Sequence, residues 1–378
     1  MSMHQGYVWD LEVPRRIGDA KVYIVGGWVR DKFMGCPSQD KDFLVVGGTH
    51  ELMIEHGYKQ VGLDFPVYLH PESGDEYALA RTERKTGPGY GGFSTDSSPT
   101  ITVEEDLMRR DLTINAMALD LETGELIDPC GGRHDMNRTF LRHTSDAFME
   151  DPVRILRTAR FAARYNFNVH KTTNDFMRGM VLAGAMNELE PHRVWAEMSR
   201  GLMERNPRQL FQVLDDCEAL RAMEHPWVGG VYASGIWMTG YPLSPLTLPQ
   251  RFALISEHFS PEDLKKARIP TDCARLSTIL HEWKHSVPLY DQATSDTKLR
   301  MLAGVGAIGK DRATDLFPRF ISTFLAWGDT RFDQFRIPQI DRMQTHANHI
   351  NLLVPPADLP VKRIPEWMLT SKREIVRG

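Results

Sequence analysis

The hydrophobic period of this chain changes once, near residue 145, and that change dictates the architecture. From Lys21 to about Asp128, short β-rich runs alternate with turn signals: KVYIVGG, DFLVVGG, PVYLH, EYALART, INAMALDL and ELIDP. Apolar and β-branched runs bounded by Gly, Pro and Asp read as strands. After about Ser145 the segments DPVRILRTARFAARY, RVWAEMSRGLM, PRQLFQVLDDCEAL, EDLKKARI and CARLSTILHEWKHSV space their apolar residues as amphipathic helices do. Strands first and helices afterwards predict an α+β chain with a mixed sheet in front and an all-helical remainder, not an alternating βαβ fold. At 378 residues the chain exceeds one typical domain. The expected domains are 1–145, 146–225 and 226–378, with a poorly regular connection around Gly229 to Pro249.

A net charge of −5 gives no global attraction to nucleic acid or to acidic membranes. Any polyanion must therefore meet a local basic surface. Cys36, Cys130, Cys217 and Cys273 lie far apart, without the density of a disulfide scaffold, and read as reduced thiols. No apolar run approaches the ~18 residues of a membrane span, and the first residues lack the apolar core of a signal peptide. The expectation is a cytoplasmic protein, with no membrane association and no obligate protein partner evident.

The stretch VYIVGGWVRDKFMGCPSQDKDFLVV, Val22 to Val46, concentrates the chemistry. Val22 to Val25 forms a short strand, Gly26-Gly27 allows a sharp turn, and WVRDKFM makes a helical segment ended by Gly35. A helix N-terminus after a glycine turn offers N–H groups to an anion, and Arg30, one turn in, adds a bidentate phosphate donor. In the next strand, beginning DKDFLVV, Asp40 and Asp42 project from one face ~7 Å apart along the backbone. Such a pair suits Mg²⁺, which takes a few carboxylate oxygens and leaves its other positions to water and phosphate. In isolation the pair reads more readily as a solvated strand start; combined with the glycine turn and arginine just upstream it suggests metal-assisted nucleotidyl transfer, one ion activating a hydroxyl and another stabilising departing pyrophosphate.

Further along, Ile155, Leu156, Ala159, Ala162 and Ala163 make one apolar stripe of a helix, with Arg154, Arg157, Arg160 and Arg164 on the opposite side. Periodicity alone describes a solvated basic face with an Asp151–Arg154 pair at i,i+3.

The motifs GGWVRD with DKD, EEDLMRRDLTINAMA, EDPVRILRTARFAARY and PHRVWAEM occur in order between Lys21 and about Leu220. With them the chain resembles the tRNA nucleotidyltransferases, the CCA-adding enzymes of the bacterial and eukaryotic type, in the polymerase-beta-like superfamily. The resemblance implies a nucleotidyltransferase head followed by a helical neck, body and tail. It implies Mg²⁺ on Asp40 and Asp42, nucleotide contacts from Gly27, Arg30, Arg110, Arg157 and Arg160, and CTP, ATP and the tRNA 3′ end as substrates. In this family the EDxxR motif reads the incoming base, and Asp151 and Arg154 fall on the reading positions. A carboxylate accepts from the exocyclic amine of cytosine or adenine, and a guanidinium donates to ring acceptors. Uracil and guanine present a carbonyl where the carboxylate needs a donor, at ~1–3 kcal/mol for each buried group left unpaired.

Three points stay open at this stage. Asp106 and Asp111 are candidates for a third metal carboxylate, with an ordinary salt-bridged strand start as the other reading. The loop from Arg81 to Phe93 matches a flexible element that helps the family switch from C to A addition. The segment around Arg193 to Glu197 corresponds to a helix that supports the reading helix, with Trp195 expected in the core. Poly(A) polymerases share the head, so poly(A) addition or partial addition of CC or A is the alternative activity, and a catalytically inactive RNA-binding module is the alternative outside enzymes.

The C-terminal region adds a remnant and a decoy. Some relatives carry an HD-type phosphohydrolase, and RFALISEHFSPEDLKKARIP has Glu257-His258 where His-Asp would stand, so no phosphohydrolase activity is expected. HEWKH at His281 to His285 fits the zinc-protease pattern HExxH, yet both histidines are expected on the solvated side of their helix, opposite Leu276, Ile279, Leu280 and Trp283. Lys265, Lys266 and Arg268 are candidate phosphate contacts for tRNA.

Overall fold

A computed structural model describes residues 11–38, 40–61, 67–85, 93–223, 245–256, 259–311, 314–327 and 333–377; for 83–85, 93–95 and 333–335 only the backbone is described. The chain divides into two compact units, Met1–Val194 with Gln209–Ala222 and Trp195–Arg208 with Met223–Gly378. The neck helices up to Val194 thus share a unit with the sheet. Glu257 and His258, most of the Gly229–Pro249 connection and the centre of the 81–93 loop lie outside the described residues.

The first unit is built on an eight-stranded mixed sheet. Its strands are β1 (Arg16–Ile17), β2 (Ala20–Val25), β3 (Asp42–Val46), β4 (Lys59–Val61), β5 (Val67–Leu69), β6 (Glu76–Leu79), β9 (Ala118–Asp120) and β10 (Leu126–Ile127). The order is β10-β9-β2-β3-β6-β5-β4, with β1 paired to β2. Every pairing is antiparallel except β3 with β6. Strands β2 and β3 are central and covered on both faces, which is why KVYIV and FLVV read as continuous apolar runs rather than alternating ones. On one face Tyr23, Val25 and Leu44 pack with Val103 and Leu107 of helix α3 (Val103–Met108). On the other face Phe43 stacks on its register partner Tyr77 at 4.5 Å between centroids, worth about 1 kcal/mol beyond its buried area. Strands β7 (Thr82–Lys85) and β8 (Phe93–Asp96) form a separate antiparallel ribbon at the base of the 81–93 loop.

Helix α1 (Gly27–Phe33) follows β2 directly, and helix α5 (Val153–Tyr165) closes the unit near it. The α5 stripe Ile155, Leu156, Ala159, Ala162 and Ala163 is fully buried, as its spacing predicts. Asn166, in the left-handed conformation, ends the helix by donating its N–H to Ala162 O. The arginine face departs from the sequence reading. Arg154 and Arg160 are buried, and Arg157 is engaged with an aspartate. The face opposite the core is therefore only partly solvated, with Arg157 half-buried and Arg164 exposed.

The second unit is helical, around a core that includes Leu254, Leu280, Met301, Phe320, Phe324 and Met343. Trp195 packs edge-on against Phe252, centroids 5.4 Å apart, the packing role expected of it. The helix Thr271–Trp283 stops before His285, and His281 turns its Nε2 to Ala253 O at 3.0 Å, not to solvent as the sequence suggested. The two histidines thus do not share one helical face, and among the described residues no group of three or more His, Cys, Asp or Glu converges on a common point. Lys266 pairs with Glu262 at i,i+4 on an exposed helix, and Arg268 follows with φ +52°. The tail from Ile364 to Arg377 is a helix tied down by Arg373 to Asp296 at 2.7 Å.

Candidate active site

One end of the sheet gathers the chemistry of the opening motif. Gly26 sits at φ +67° and its N–H donates to Met117 O, joining the turn after β2 to the start of β9. A side chain there would place its Cβ 3.0 Å from Arg110 Nη1, so glycine is required both by the backbone angle and by the arginine lying against it. Gly27 opens α1, with the Arg30 guanidinium folded back to within 3.4 Å of where a Cβ would sit.

The strand carrying the aspartates begins at Asp42, two residues later than the sequence suggested, so Asp40 lies just before it. Asp42 is exposed and pairs in register with Val25 of β2 and Glu76 of β6. In a parallel pair, register partners share a face, which places the exposed Glu76 carboxylate beside Asp42. Protein surrounding its carboxyl raises Asp42 above the usual carboxylate range; Arg110 opposes this, and the charges of Glu76 and Asp40 add to it. Asp42 and Glu76 in register at a solvent-accessible strand end, with Asp40 just before it, offer the hard oxygens that a cation such as Mg²⁺ takes, although among the described residues no three such groups are gathered closely enough to hold an ion.

The two aspartates weighed as a third metal carboxylate are committed elsewhere. Asp106 is fully buried and receives Arg109 Nη2 at 2.8 Å and Arg110 Nη2 at 3.0 Å. Burial alone would raise its carboxyl; the two guanidiniums outweigh it and hold Asp106 below the usual range. Asp111 is likewise held well below that range by Arg157 and Asn115 against the effect of burial. Glu76, which the sequence did not single out, is the carboxylate in register with Asp42. The strand pairing that reveals it is not visible in a single strand's pattern.

Arg30 is buried, not extended into solvent. It donates to Asp31 at 2.9 Å through Nε and to Asn115 through Nη1, and lies over the ring of Tyr165 at 4.9 Å. Tyr165 at the end of α5 donates its hydroxyl to Asp31 at 3.0 Å. Asn115 in turn donates to Asp111 at 3.0 Å, and Arg157 Nε reaches the same carboxylate at 2.7 Å. The result is a continuous chain of charge-assisted hydrogen bonds, Tyr165–Asp31–Arg30–Asn115–Asp111–Arg157, that leaves α5, crosses α1 and the segment before β9, and returns to α5. Arg160 stacks over Phe161 at 4.5 Å.

The start of α5 is held differently. Arg154 Nη1 donates to Ala147 O at 2.9 Å and lies 3.5 Å from Arg110 O. The expected Asp151–Arg154 ion pair is replaced by another: Asp151 precedes the helix, accepts the N–H of Val153 at 3.1 Å on Oδ1, and receives Arg193 at 2.8 Å on Oδ2. Arg193, Asn115 and Asp111 are the residues sequence reasoning undervalued, because their significance lies in partners 42 to 85 positions away.

This arrangement is matched by solved structures at the level of fold. An apo CCA-adding enzyme aligns with a TM-score of 0.68 at 20% identity, over 96% of this chain and 89% of its own. A CCA-adding enzyme in complex with CTP aligns with a TM-score of 0.67 at 19% identity, over 96% and 88%. Residues 22–142, the sheet and its exposed carboxylates, match the family described as the poly A polymerase head domain. The chain thus has the fold of a nucleotidyltransferase, with the head domain over its sheet.

The multifunctional CCA protein of Laribacter hongkongensis is 42% identical over 334 residues, 78% of this chain and 82% of its own length. That of Nitrosococcus oceani is 48% identical over 268 residues, 70% of this chain and 65% of its own. That of Janthinobacterium sp. is 57% identical over 202 residues, 53% and 48% respectively. The chain belongs to the multifunctional CCA protein family.

Proposed function

We propose that this chain completes or repairs the 3′-terminal CCA of tRNA from CTP and ATP, without a nucleic-acid template, in the cytoplasm and with no obligate protein partner. The observation that carries the reading is the convergence of two sites on Arg110. Its guanidinium acts on Asp42 at the end of the sheet, and its backbone carbonyl faces Arg154 at the start of α5. That one residue reaches both places supports a nucleotide with its phosphates on one side of Arg110 and its base on the other.

Asp40 and Asp42, with Glu76 beside them, would hold Mg²⁺, which when bound neutralises phosphate charge and lowers the pKa of a coordinated hydroxyl. Arg110 and Arg109 bring positive charge to the triphosphate. The terminal ribose hydroxyl attacks the α-phosphorus, the new P–O bond forms as the bond to the bridging oxygen breaks, pyrophosphate departs, and the hydroxyl proton passes to solvent. Gly26 and Gly27 let the backbone approach the phosphates. Arg30 ties α1 to Tyr165 of α5, Arg157 ties α5 to Asp111, and the guanidiniums of Arg30, Arg157 and Arg160 add positive field for the nucleotide. Asp151 accepts from the exocyclic amine of cytosine or adenine while Arg154 donates to the ring. Uracil and guanine leave these groups unpaired at ~1–3 kcal/mol each. The ribbon of β7 and β8 supports the 81–93 loop, whose removal spares C addition and blocks A addition.

The test is incubation of tRNA lacking its 3′ CCA with each labelled nucleotide in turn. Addition limited to C, C and A supports the proposal. Sustained A addition to arbitrary RNA would assign the chain to poly(A) polymerases, no addition of any nucleotide would leave an RNA-binding module, and unchanged product formation by Asp40→Ala or Asp42→Ala would reject catalysis at this site.

A further inference from the structure

We infer that Arg193 is a positioning residue that sets nucleotide choice by pinning Asp151; the inference rests on the base-reading role proposed above for Asp151. A carboxylate discriminates an amine from a carbonyl only while its oxygens are held in place. A mobile one swings away from a carbonyl and lets water fill the gap, and the penalty for the wrong base disappears.

Asp151 stands just before helix α5, tied to its first turn by the Arg154 N–H on its backbone carbonyl at 3.0 Å. Its Oδ1 accepts the Val153 N–H at 3.1 Å. That single bond still allows the carboxylate to pivot about the oxygen it fixes. Arg193 Nη2 at 2.8 Å on Oδ2 removes the pivot. With one donor on each oxygen, the carboxyl plane is determined and lone pairs remain for a base amine. The pair is mostly but not wholly shielded, with 20% of the Arg193 side chain and 24% of the Asp151 side chain exposed, as befits a carboxylate that must still meet a nucleotide. Arg193 lies near the start of helix α7 (Pro191–Met203), anchored by its N–H to Glu190 O at 2.9 Å. The guanidinium is therefore delivered from a different element than the one that carries Arg154. The two reading side chains have separate supports, and disabling one leaves the other in place.

The experiment uses the full chain and its Arg193→Ala, Arg193→Gln and Arg193→Lys variants. It measures single-nucleotide addition to tRNA lacking CCA, with KM and kcat for CTP and kcat/KM for UTP. Loss of a charge-assisted bond predicts for Arg193→Ala a KM for CTP raised roughly tenfold with a much smaller change in kcat, and a CTP-over-UTP preference lowered roughly tenfold. Arg193→Lys keeps a cation at this place and retains most of the preference. In an Asp151→Ala background the same substitution changes the preference no further. The inference is overturned if Arg193→Ala keeps its preference within about twofold of wild type, or if it lowers preference as much without Asp151 as with it. Should Arg193→Ala fail to fold, by thermal melting, Arg193→Gln is judged by the same two criteria. A wild-type chain that adds no C would instead remove the proposed function itself.

Discussion

Replacing Asp111 with alanine is expected to destabilise the first unit by about 3 kcal/mol, a figure that follows from what the carboxylate holds. Asp111 is buried and accepts from Leu112 N at 2.8 Å, Asn115 Nδ2 at 3.0 Å and Arg157 Nε at 2.7 Å. Removing one partner of a buried ion pair costs about 3–5 kcal/mol, because the other charge stays unpaired. Here 34% of the Arg157 side chain is exposed, so water recovers part of that loss and the lower end of the range applies. Urea unfolding of both proteins at neutral pH gives the difference directly. The pH dependence supplies a second signature. Asp111 is held below its unfolded value, so its contribution is fully present above the unfolded carboxylate pKa of ~3.9 and declines as pH falls through the lower folded value. The gap between wild type and variant therefore narrows in acid. A gap under about 1 kcal/mol at neutral pH, or one that widens below pH ~4, would refute the argument that this pair locks α5 to the sheet unit.

Gly26→Ala forces a Cβ onto a backbone at φ +67° and against Arg110; thermal melting should show a loss of about 1–3 kcal/mol, and CTP affinity should fall with it. Tyr165→Phe removes the hydroxyl that donates to buried Asp31 and is expected to lower stability by about 1 kcal/mol by urea titration, with little change in nucleotide preference. Glu76→Gln alters an exposed group, so melting should be unchanged, while the Mg²⁺ concentration needed for half-maximal C addition rises several-fold; an unaltered Mg²⁺ titration would remove Glu76 from the site.

How much of this was legible beforehand depended on the range over which each residue acts. The strand-turn-helix of Val22 to Phe33 and the buried stripe of α5 follow from local period and glycine placement, and both stand in the structure. Asp40 and Asp42 are recognisable because only Lys41 separates the two charges in sequence. The fate of the arginines was not legible: a period of 3.6 separates two helical faces but does not say whether the polar one meets water or a row of aspartates. Arg30 and Arg154 are buried where Asn115, 85 positions away, and the carbonyl of Arg110, 44 positions away, reach them. Glu76 escaped for the same reason, its position beside Asp42 being set by strand pairing rather than spacing. HEWKH, already discounted as a zinc motif, departed from its reading at His281, which meets Ala253 O instead of solvent.

A crystal structure with CTP and Mg²⁺ bound tests the central claim most directly. The account predicts the cytosine edge against Asp151 and Arg154, the triphosphate beside Arg110, and the ion on Asp40 and Asp42. A base lodged elsewhere, or an ion that leaves both aspartates untouched, would contradict it.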